Sequence, residues 1–383
     1  MSENRRFGLL LVSGAHTHQE DYARAFAQDD RCRIIGLTDE AEISARREFL
    51  NRELARELKV DYLPDFEIAI ARDDIDFASI CVEPERRGDV AARCAAAGLN
   101  VFIDKPVAST VDATRRLQQA VAEAGVINHC FSLVRSLMAQ QAKSVIESGR
   151  LGRLVGIHCD CLFAKGPAGT ADLNSVRQER IPVDRFSFVD SKRELFCVGW
   201  YPLVLFQWLT QQQFSTVSAV TSNYFFSQHQ EHDVEDFATM TMGLNGGTVA
   251  SMTVGRCGWN SVPAGGIHRL RLMGTDASET LDSFPVAKSP ESPTIDSWQP
   301  KADHPDDPMG FWSSTQSDTA VAPRSMWRPV GSPVLADTAF FLDCLQHGRQ
   351  SDVPVSVGRE AVRLIHAGYR SASRRQTVDL SRF

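Results

Sequence analysis

The sequence lacks any apolar run that approaches the ~18 residues a membrane-spanning helix needs, which excludes a chain built on transmembrane helices. It also lacks an excess of positive charge, with 41 lysines and arginines against 48 aspartates and glutamates. The net charge of −7 leaves nothing to neutralise phosphates in bulk and argues against a general nucleic-acid binder. It has no CxxC pair. Its nine cysteines are an odd number scattered from Cys32 to Cys344, and the nearest two, Cys159 and Cys161, would point the same way on a strand. That is too few ligands for a metal site, so no metal is expected. The thiols read as reduced and buried, as in a cytoplasmic protein. The apolar run Phe7–Val12 is followed by no small-residue cleavage site and reads as a strand, not a signal peptide. There is no repeat at a fixed period.

What is present is an alternation. The 383 residues suggest two domains at roughly 100–200 residues each, and 43% apolar with 23% charged residues suits a sizeable core. Continuous apolar runs at Phe7–Val12, Ile34–Thr38, Phe77–Val82, Val101–Ile103 and Val126–Cys130 predict strands buried on both faces. Helical patterns lie between them. Tyr22 and Phe26 share one face, as do Leu50, Leu54 and Leu58; Val90–Ala97 ends at Gly98; Ser109 to Asp112 reads as a capping box opening a helix through Leu117 and Val121. The expectation is an α/β chain: a doubly wound parallel sheet over residues 1–130, then a second α/β domain over 131–383 with a large, open, mainly antiparallel sheet. Val155–Phe163, Phe237–Gly243, Thr248–Val254 and Ile267–Met273 predict its strands. Met138–Glu147, Leu335–His347 and Arg359–Arg370 predict helices. Residues 283–333 hold nine of the seventeen prolines and read as a long irregular excursion.

From Asp76 to Pro106 the pattern DFASICVEP…AAAGLNVFIDKP resembles the Gfo/Idh/MocA oxidoreductases, and VIESGRLGRLVGI, CVGWYPLVLFQWL, GLNGGTVASM, RLRLMGT and GREAVRLIHAGYRSA follow in the family's order. The resemblance implies an N-terminal Rossmann domain that binds NAD or NADP, and a C-terminal domain for a sugar, polyol or related small molecule. It also implies a homo-oligomer, dimer or tetramer, in which a partner covers the open sheet.

The cofactor loop departs from the fingerprint. Of three expected glycines only Gly14 stands in Val12-Ser13-Gly14-Ala15-His16-Thr17. A working modified loop and a fold that has lost its cofactor both remain open. Asp39 ends the second strand about 25 residues after Gly14 and would accept the adenosine ribose hydroxyls; with Glu40 beside it, NAD is favoured over NADP. Read this way, the cofactor would lie against Ser13, Gly14, His16, Thr17, Asp39, Pro84, Asp104, Lys105 and Arg135. By the resemblance Lys105 holds the reacting oxygen, and Tyr201 stands where the family's acid/base histidine would be. A phenol loses its proton near pH ~10, so Tyr201 needs a cation such as Lys105 to act as a base. Cys197 stands where the family has an aspartate. Lys105, His158 and Tyr201 are the candidate substrate residues. The alternative reading of Tyr201 is a packing residue, in which case the base is sought among His158, Glu194, His16 and His18. His229, His232, Asp233, Glu235 and Asp236 read as a solvated loop. The expected activity is oxidation or reduction at a secondary hydroxyl or keto carbon. A reaction using NAD transiently for elimination, and a non-catalytic NAD- or ligand-sensing regulator, are the alternatives.

Overall fold

In the computed structural model the described residues are 6–14, 18–164, 169–175, 177, 193–257, 266–283 and 333–383. They fall into two compact units. The first holds residues 6–132 and 333–362; the second holds 133–283 and 363–383, each within the described residues.

The first unit alternates strand and helix: β1 (Phe7–Val12), α1 (Gln19–Ala27), β2 (Cys32–Thr38), α2 (Ala45–Leu58), β3 (Asp61–Leu63), α3 (Phe66–Ile70), β4 (Phe77–Ile80), α4 (Pro84–Ala96), β5 (Asn100–Ile103), α5 (Val111–Ala124) and β6 (Asn128–Cys130). All strand pairs are parallel, in the order β3-β2-β1-β4-β5-β6, the doubly wound arrangement expected from the sequence. Leu9, Leu10, Leu11 and Val12 are wholly buried, because helices cover both faces of such a sheet. The cap of α5 differs by one residue from expectation. Thr110, not Ser109, has extended backbone and accepts the Ala113 amide at 3.1 Å.

The same unit is completed from far along the chain by α10 (Pro333–His347) and the start of α11 (Val355–Arg374). Phe341 of α10 packs on Phe77 and Phe102, with ring centroids 5.5 and 5.6 Å apart. His129 of β6, itself fully buried, bonds Ser351 through Nδ1 at 2.7 Å and Asp337 through Nε2 at 2.9 Å. An aromatic cluster and a buried polar chain thus fix the returning segment, with both ring nitrogens of His129 meeting a partner where water is excluded.

The second unit contains α6 (Leu137–Glu147), β7 (Leu154–Ala164), α7 (Glu194–Cys197), α8 (Trp200–Thr210), β8 (Phe214–Ser222), α9 (Ser227–Glu231), β9 (Phe237–Leu244), β10 (Val249–Cys257), β11 (Gly266–Gly274), β12 (Ser278–Asp282) and β13 (Val378–Asp379). Its seven strands run β12-β11-β7-β10-β9-β8-β13. Every neighbouring pair is antiparallel except β7 with β10. One face is apolar and buried: Ile157, Cys159, Cys161, Met240, Met252, Val254, Leu270 and Leu272. Gly368 of α11 and Leu195 of α7 pack there beside Met240. The other face carries His158, Asp160, Ser251, Thr253, Thr239, Thr241, Arg269 and Arg271, the period-two alternation of a sheet with one solvated side. No helix among the described residues is long and apolar enough to cross a membrane.

Candidate active site

The first sheet reverses its strand order between β1 and β4, and ligands of such sheets bind outside the strands' carboxyl ends at that switch. Ser13, Pro84, Asp104 and Lys105 lie along this edge, just past β1, β4 and β5. Ser13 adopts a positive φ of 71° and accepts Arg47 on its hydroxyl at 2.7 Å. A Cβ at Gly14 would stand 2.7 Å from Asn51 Oδ1 and 2.8 Å from its Cα, so the bare backbone here lets α2 approach. His16 and Thr17 lie outside the described residues.

Lys105 begins a cis peptide to Pro106, and Arg87 holds this turn from behind. The guanidinium, only 1% exposed, donates from Nε to the Val82 carbonyl at 2.9 Å. It also donates from Nη1 to the Pro106 carbonyl at 2.6 Å and from Nη2 to Asp104 Oδ2 at 3.1 Å. The other oxygen of Asp104 accepts the Tyr22 hydroxyl at 2.7 Å and lies 3.0 Å from His18 Nδ1. Burial alone would raise the Asp104 carboxyl, but His18, Arg87 and Lys105 together hold it far below the usual carboxylate range. Asp104 is therefore an ionised anchor, and Lys105 beside it is a buried cation at the strand end. Arg87, Tyr22 and His18 were not legible as one assembly. Tyr22 shows in the sequence only as part of a helix face, and no spacing rule says that Arg87 turns back to the strand ends.

Asp39 ends β2 as expected but faces inward and is wholly buried. Its oxygens take Asn51 at 3.0 Å, the Glu40 amide at 2.9 Å, Arg47 at 3.5 Å and Arg86 at 3.4 Å. Arg47 also pairs with Glu83. Arg86 pairs with Glu40 and, at 2.7 Å, with Glu83, and Arg93 reaches Glu40 at 2.7 Å. Burial draws the Arg47 guanidinium down to about 10, with Asp39 opposing. The negative charge that the sequence places here is thus matched by three arginines.

In the second unit Glu194 and Cys197 are three apart on α7, and Tyr201 lies at the start of α8 beyond a break in the helix. Between the helices the Gly199 amide bonds the Glu194 carbonyl at 3.0 Å, a five-residue closure, and a Cβ at Gly199 would stand 2.2 Å from the Leu195 carbonyl oxygen. Cys197 and Tyr201 are buried. Burial would raise Glu194, but Arg256 and His229, the latter 3.8 Å away, bring it below its ordinary range. The solvated loop expected at residues 229–236 holds at exposed His232 and half-buried Asp233 and is corrected at the other three residues. His229, Glu235 and Asp236 are buried. Glu235 accepts the Tyr369 hydroxyl at 2.6 Å and the Leu195 amide at 3.1 Å; Asp236 accepts the amides of Tyr224, Phe225 and Phe226. These carboxylates bind backbone and helix, which local polarity in the sequence does not reveal. His158 points to the polar face of its sheet, away from the face that packs the helices, and bonds Ser251 at 2.8 Å and Asp160 at 2.9 Å. The Arg135 guanidinium lies 5.9 Å from the Trp208 ring centroid, within the second unit.

A Rossmann sheet with an anchored lysine at its strand ends, followed by a mixed-sheet unit, is the layout of a two-domain dehydrogenase. Residues 9–131 match the family model described as the Gfo/Idh/MocA oxidoreductase family, NAD-binding Rossmann fold, and residues 139–279 match the Gfo/Idh/MocA C-terminal domain. The chain belongs to the Gfo/Idh/MocA family of oxidoreductases, and its first unit is an NAD-binding Rossmann domain. Among curated proteins none matches. Several solved structures share the fold end to end. GenD2 from gentamicin A biosynthesis, in complex with NAD, is 19% identical with a TM-score of 0.72, covering 99% of this chain and 98% of its own. The scyllo-inositol dehydrogenase of Lactobacillus casei, with bound NAD(H) and scyllo-inositol, is 15% identical with a TM-score of 0.72, covering 98% and 100%. The aldose-aldose oxidoreductase of Caulobacter crescentus, complexed with glycerol, is 18% identical with a TM-score of 0.68, covering 98% and 100%.

The strand-end residues fit NAD unevenly. Ser13, Gly14, Pro84, Asp104 and Lys105 form the edge on which a dinucleotide of this fold lies. At the ribose-reading position Asp39 is spent on the protein's own groups, and the partly exposed Glu40, Glu83 and Arg86 form the rim in front of it.

Proposed function

We propose that the protein interconverts a secondary hydroxyl and a keto group on a sugar, polyol or related small molecule, with NAD preferred over NADP and with Lys105 and Tyr201 as its catalytic pair. The observation that carries this reading is the fixation of Lys105. Arg87 bonds the side chain of Asp104 before it and the carbonyl of Pro106 after it, which fixes the turn that carries this cation at the strand ends of an NAD-binding domain. Bound NAD supplies the acceptor for the hydrogen leaving carbon. Lys105 then orients the substrate oxygen and stabilises the negative charge that develops on it. Tyr201 takes the hydroxyl proton. Fixed orientation matters because the ammonium need not reorganise as charge appears. The presence of inositol dehydrogenases and an aldose-aldose oxidoreductase among the solved neighbours supports the substrate class. We further propose a homo-oligomer formed through the polar face of the second sheet, and a cytoplasmic setting consistent with nine buried, unbridged thiols.

A second reading, an NAD- or ligand-sensing regulator, draws on Cys197 in the aspartate position and on the engaged Asp39. Calorimetric titration of NAD and NADP, followed by a screen of inositols and aldoses for NADH formation, separates the two. Tight NAD binding with turnover that falls by about 10²-fold or more in Tyr201→Phe supports the enzyme and its base. Binding with no turnover on any polyol or sugar favours the sensor. Full turnover in Tyr201→Phe makes Tyr201 a packing residue.

A further inference from the structure

Sequence order sets Asp39 and Glu40 together at the end of β2 with no arginine next to them, which is why the chain reads as preferring NAD. The fold brings an arginine there from elsewhere. Arg86, 47 residues beyond Asp39 and in the first turn of α4, reaches the end of β2. The two oxygens of Asp39 are held differently. Oδ2 accepts Asn51 Nδ2 at 3.0 Å and meets Arg47 Nη1 at 3.5 Å, and Arg47 is itself only 8% exposed. Oδ1 accepts the Glu40 amide at 2.9 Å, and among the described residues its other partner is Arg86, whose Nη2 and Nη1 lie 3.4 and 3.5 Å away. Those two contacts are long for hydrogen bonds. Arg86 makes its closer ones to the rim, donating to Glu83 at 2.7 Å and to Glu40. The Arg86 side chain is 28% exposed where Asp39 is wholly buried. At the position that reads the adenosine ribose, the group turned toward solvent with Glu40 and Glu83 is therefore a guanidinium, not the expected aspartate.

Resting on the NAD-binding reading, we propose that Arg86 is a specificity-determining residue: it caps Asp39, offers its guanidinium to the adenosine ribose, and holds down the preference for NAD by donating to the 2′-phosphate of NADP. In folds of this kind a carboxylate at the end of the second strand favours NAD, and an arginine nearby accommodates the extra phosphate. This chain carries both, the first in sequence and the second only in space. A planar guanidinium with parallel N–H donors suits a phosphate, which accepts two of them at once. The long contacts to Asp39 are the weakest that Arg86 makes, so they yield first to a stronger acceptor, while Glu40 and Glu83 keep the side chain on the rim. Asp39, Glu40 and Glu83 repel a further negative charge, and Arg86 offsets part of that repulsion. Removing its charge should therefore widen the gap between the two dinucleotides, the opposite sign from removing Asp39.

The test is calorimetric titration of NAD and of NADP into the intact protein at one ionic strength, with Arg86→Gln as the main variant. Asn51, Arg47 and the Glu40 amide remain on Asp39 in that variant, so the buried carboxylate keeps partners. Arg86→Lys retains the charge beside the rim carboxylates and gives the same test with a smaller effect. Arg93→Gln is the control: Arg93 also pairs with Glu40, at 2.7 Å, but has no bond to Asp39 among the described residues. The expected result in Arg86→Gln is an NADP affinity weaker by about tenfold or more with NAD affinity within about threefold, and little change of the ratio in Arg93→Gln. An unchanged ratio in Arg86→Gln overturns the proposal. So does an equal loss for both dinucleotides, which makes Arg86 a brace of the fold, and so does the same widening in Arg93→Gln, which assigns the effect to charge at a distance. Wild-type protein that binds NAD but no measurable NADP overturns it as well, since Arg86 then offsets nothing, and the cofactor reading stands. Absence of binding of either dinucleotide refutes the cofactor reading itself and the proposal with it.

Discussion

The two sheets bury their carboxylates for different ends. In the first unit both faces of the sheet are covered, so chemistry is confined to the strand ends, and buried Asp104 gathers His18, Tyr22 and Arg87 there around the lysine that follows it. In the second unit one face is polar. Buried Glu235 and Asp236 sit at the foot of β9; their partners are backbone amides and the Tyr369 hydroxyl, with Arg177 and Arg193 each 3.4 Å from Glu235. One network gathers at the strand end that carries the proposed catalytic lysine; the other ties loops and helices to a sheet. The difference teaches that a buried charge cluster is a candidate site when its partners converge on the ends of the strands, and a fastening when they tie loops and helices to a sheet.

The comparison breaks most visibly at Lys105. Lys105→Ala should lower turnover by at least about 10²–10⁴-fold with little change in NADH affinity, read by steady-state kinetics beside calorimetry. Retained turnover would show that this cation is not the reacting one. Next comes its anchor. Arg87→Met leaves Asp104 ionised without its guanidinium, and breaking such a buried pair typically costs about 3–5 kcal/mol in urea unfolding. An effect below 1 kcal/mol would show the clamp to be dispensable. The same carboxylate fixes a pH sign. Its folded-state pKa lies below the unfolded value, so its contribution is present above the ordinary range near pH ~4 and is lost as pH falls through the folded value. Asp104→Asn should flatten the acid limb of stability; an unchanged limb would assign acid lability elsewhere. A smaller effect is expected at the other end of the first edge. Asp39→Ala frees Arg47 and Arg86 and removes a carboxylate, so the preference for NAD over NADP should narrow by about tenfold in competitive titration. An unaltered ratio would place discrimination on Glu40 and Glu83. Smallest for the folded chain is Val220→Asp on the polar sheet face, within about 0.5 kcal/mol in monomer stability. If that face joins copies, light scattering should nevertheless report a smaller particle.

Much of the first unit could be read in the sequence because strands buried on both faces leave continuous apolar runs. Phe7–Val12 coincides with β1, and the Asp104-Lys105-Pro106 turn announces itself by its neighbours. The lapses have physical reasons. Ser109 and Thr110 are both good caps, and only backbone geometry chooses Thr110. β3 is three residues long, and in β8 serine and threonine occupy both faces, so neither carries a period. Lys105 and Tyr201 are singled out as candidates by motif, whereas the contacts of Arg87 and His18 with Asp104 depend on side-chain reach between elements, which linear spacing does not encode. His158 shows the converse. One residue of strand parity decides which face it serves, and the polar face has it.

The return of residues 333–362 to the first unit has a consequence for synthesis. A ribosome making roughly 5–20 residues per second finishes β6 about 10–40 seconds before it reaches α10. For that interval Phe77 and Phe102 lack Phe341, and His129 lacks both Asp337 and Ser351. The nascent Rossmann segment therefore waits with an aromatic patch uncovered. That makes it a natural client for chaperones, and an excised 1–132 fragment should be prone to aggregate where one that also carries 333–362 is not.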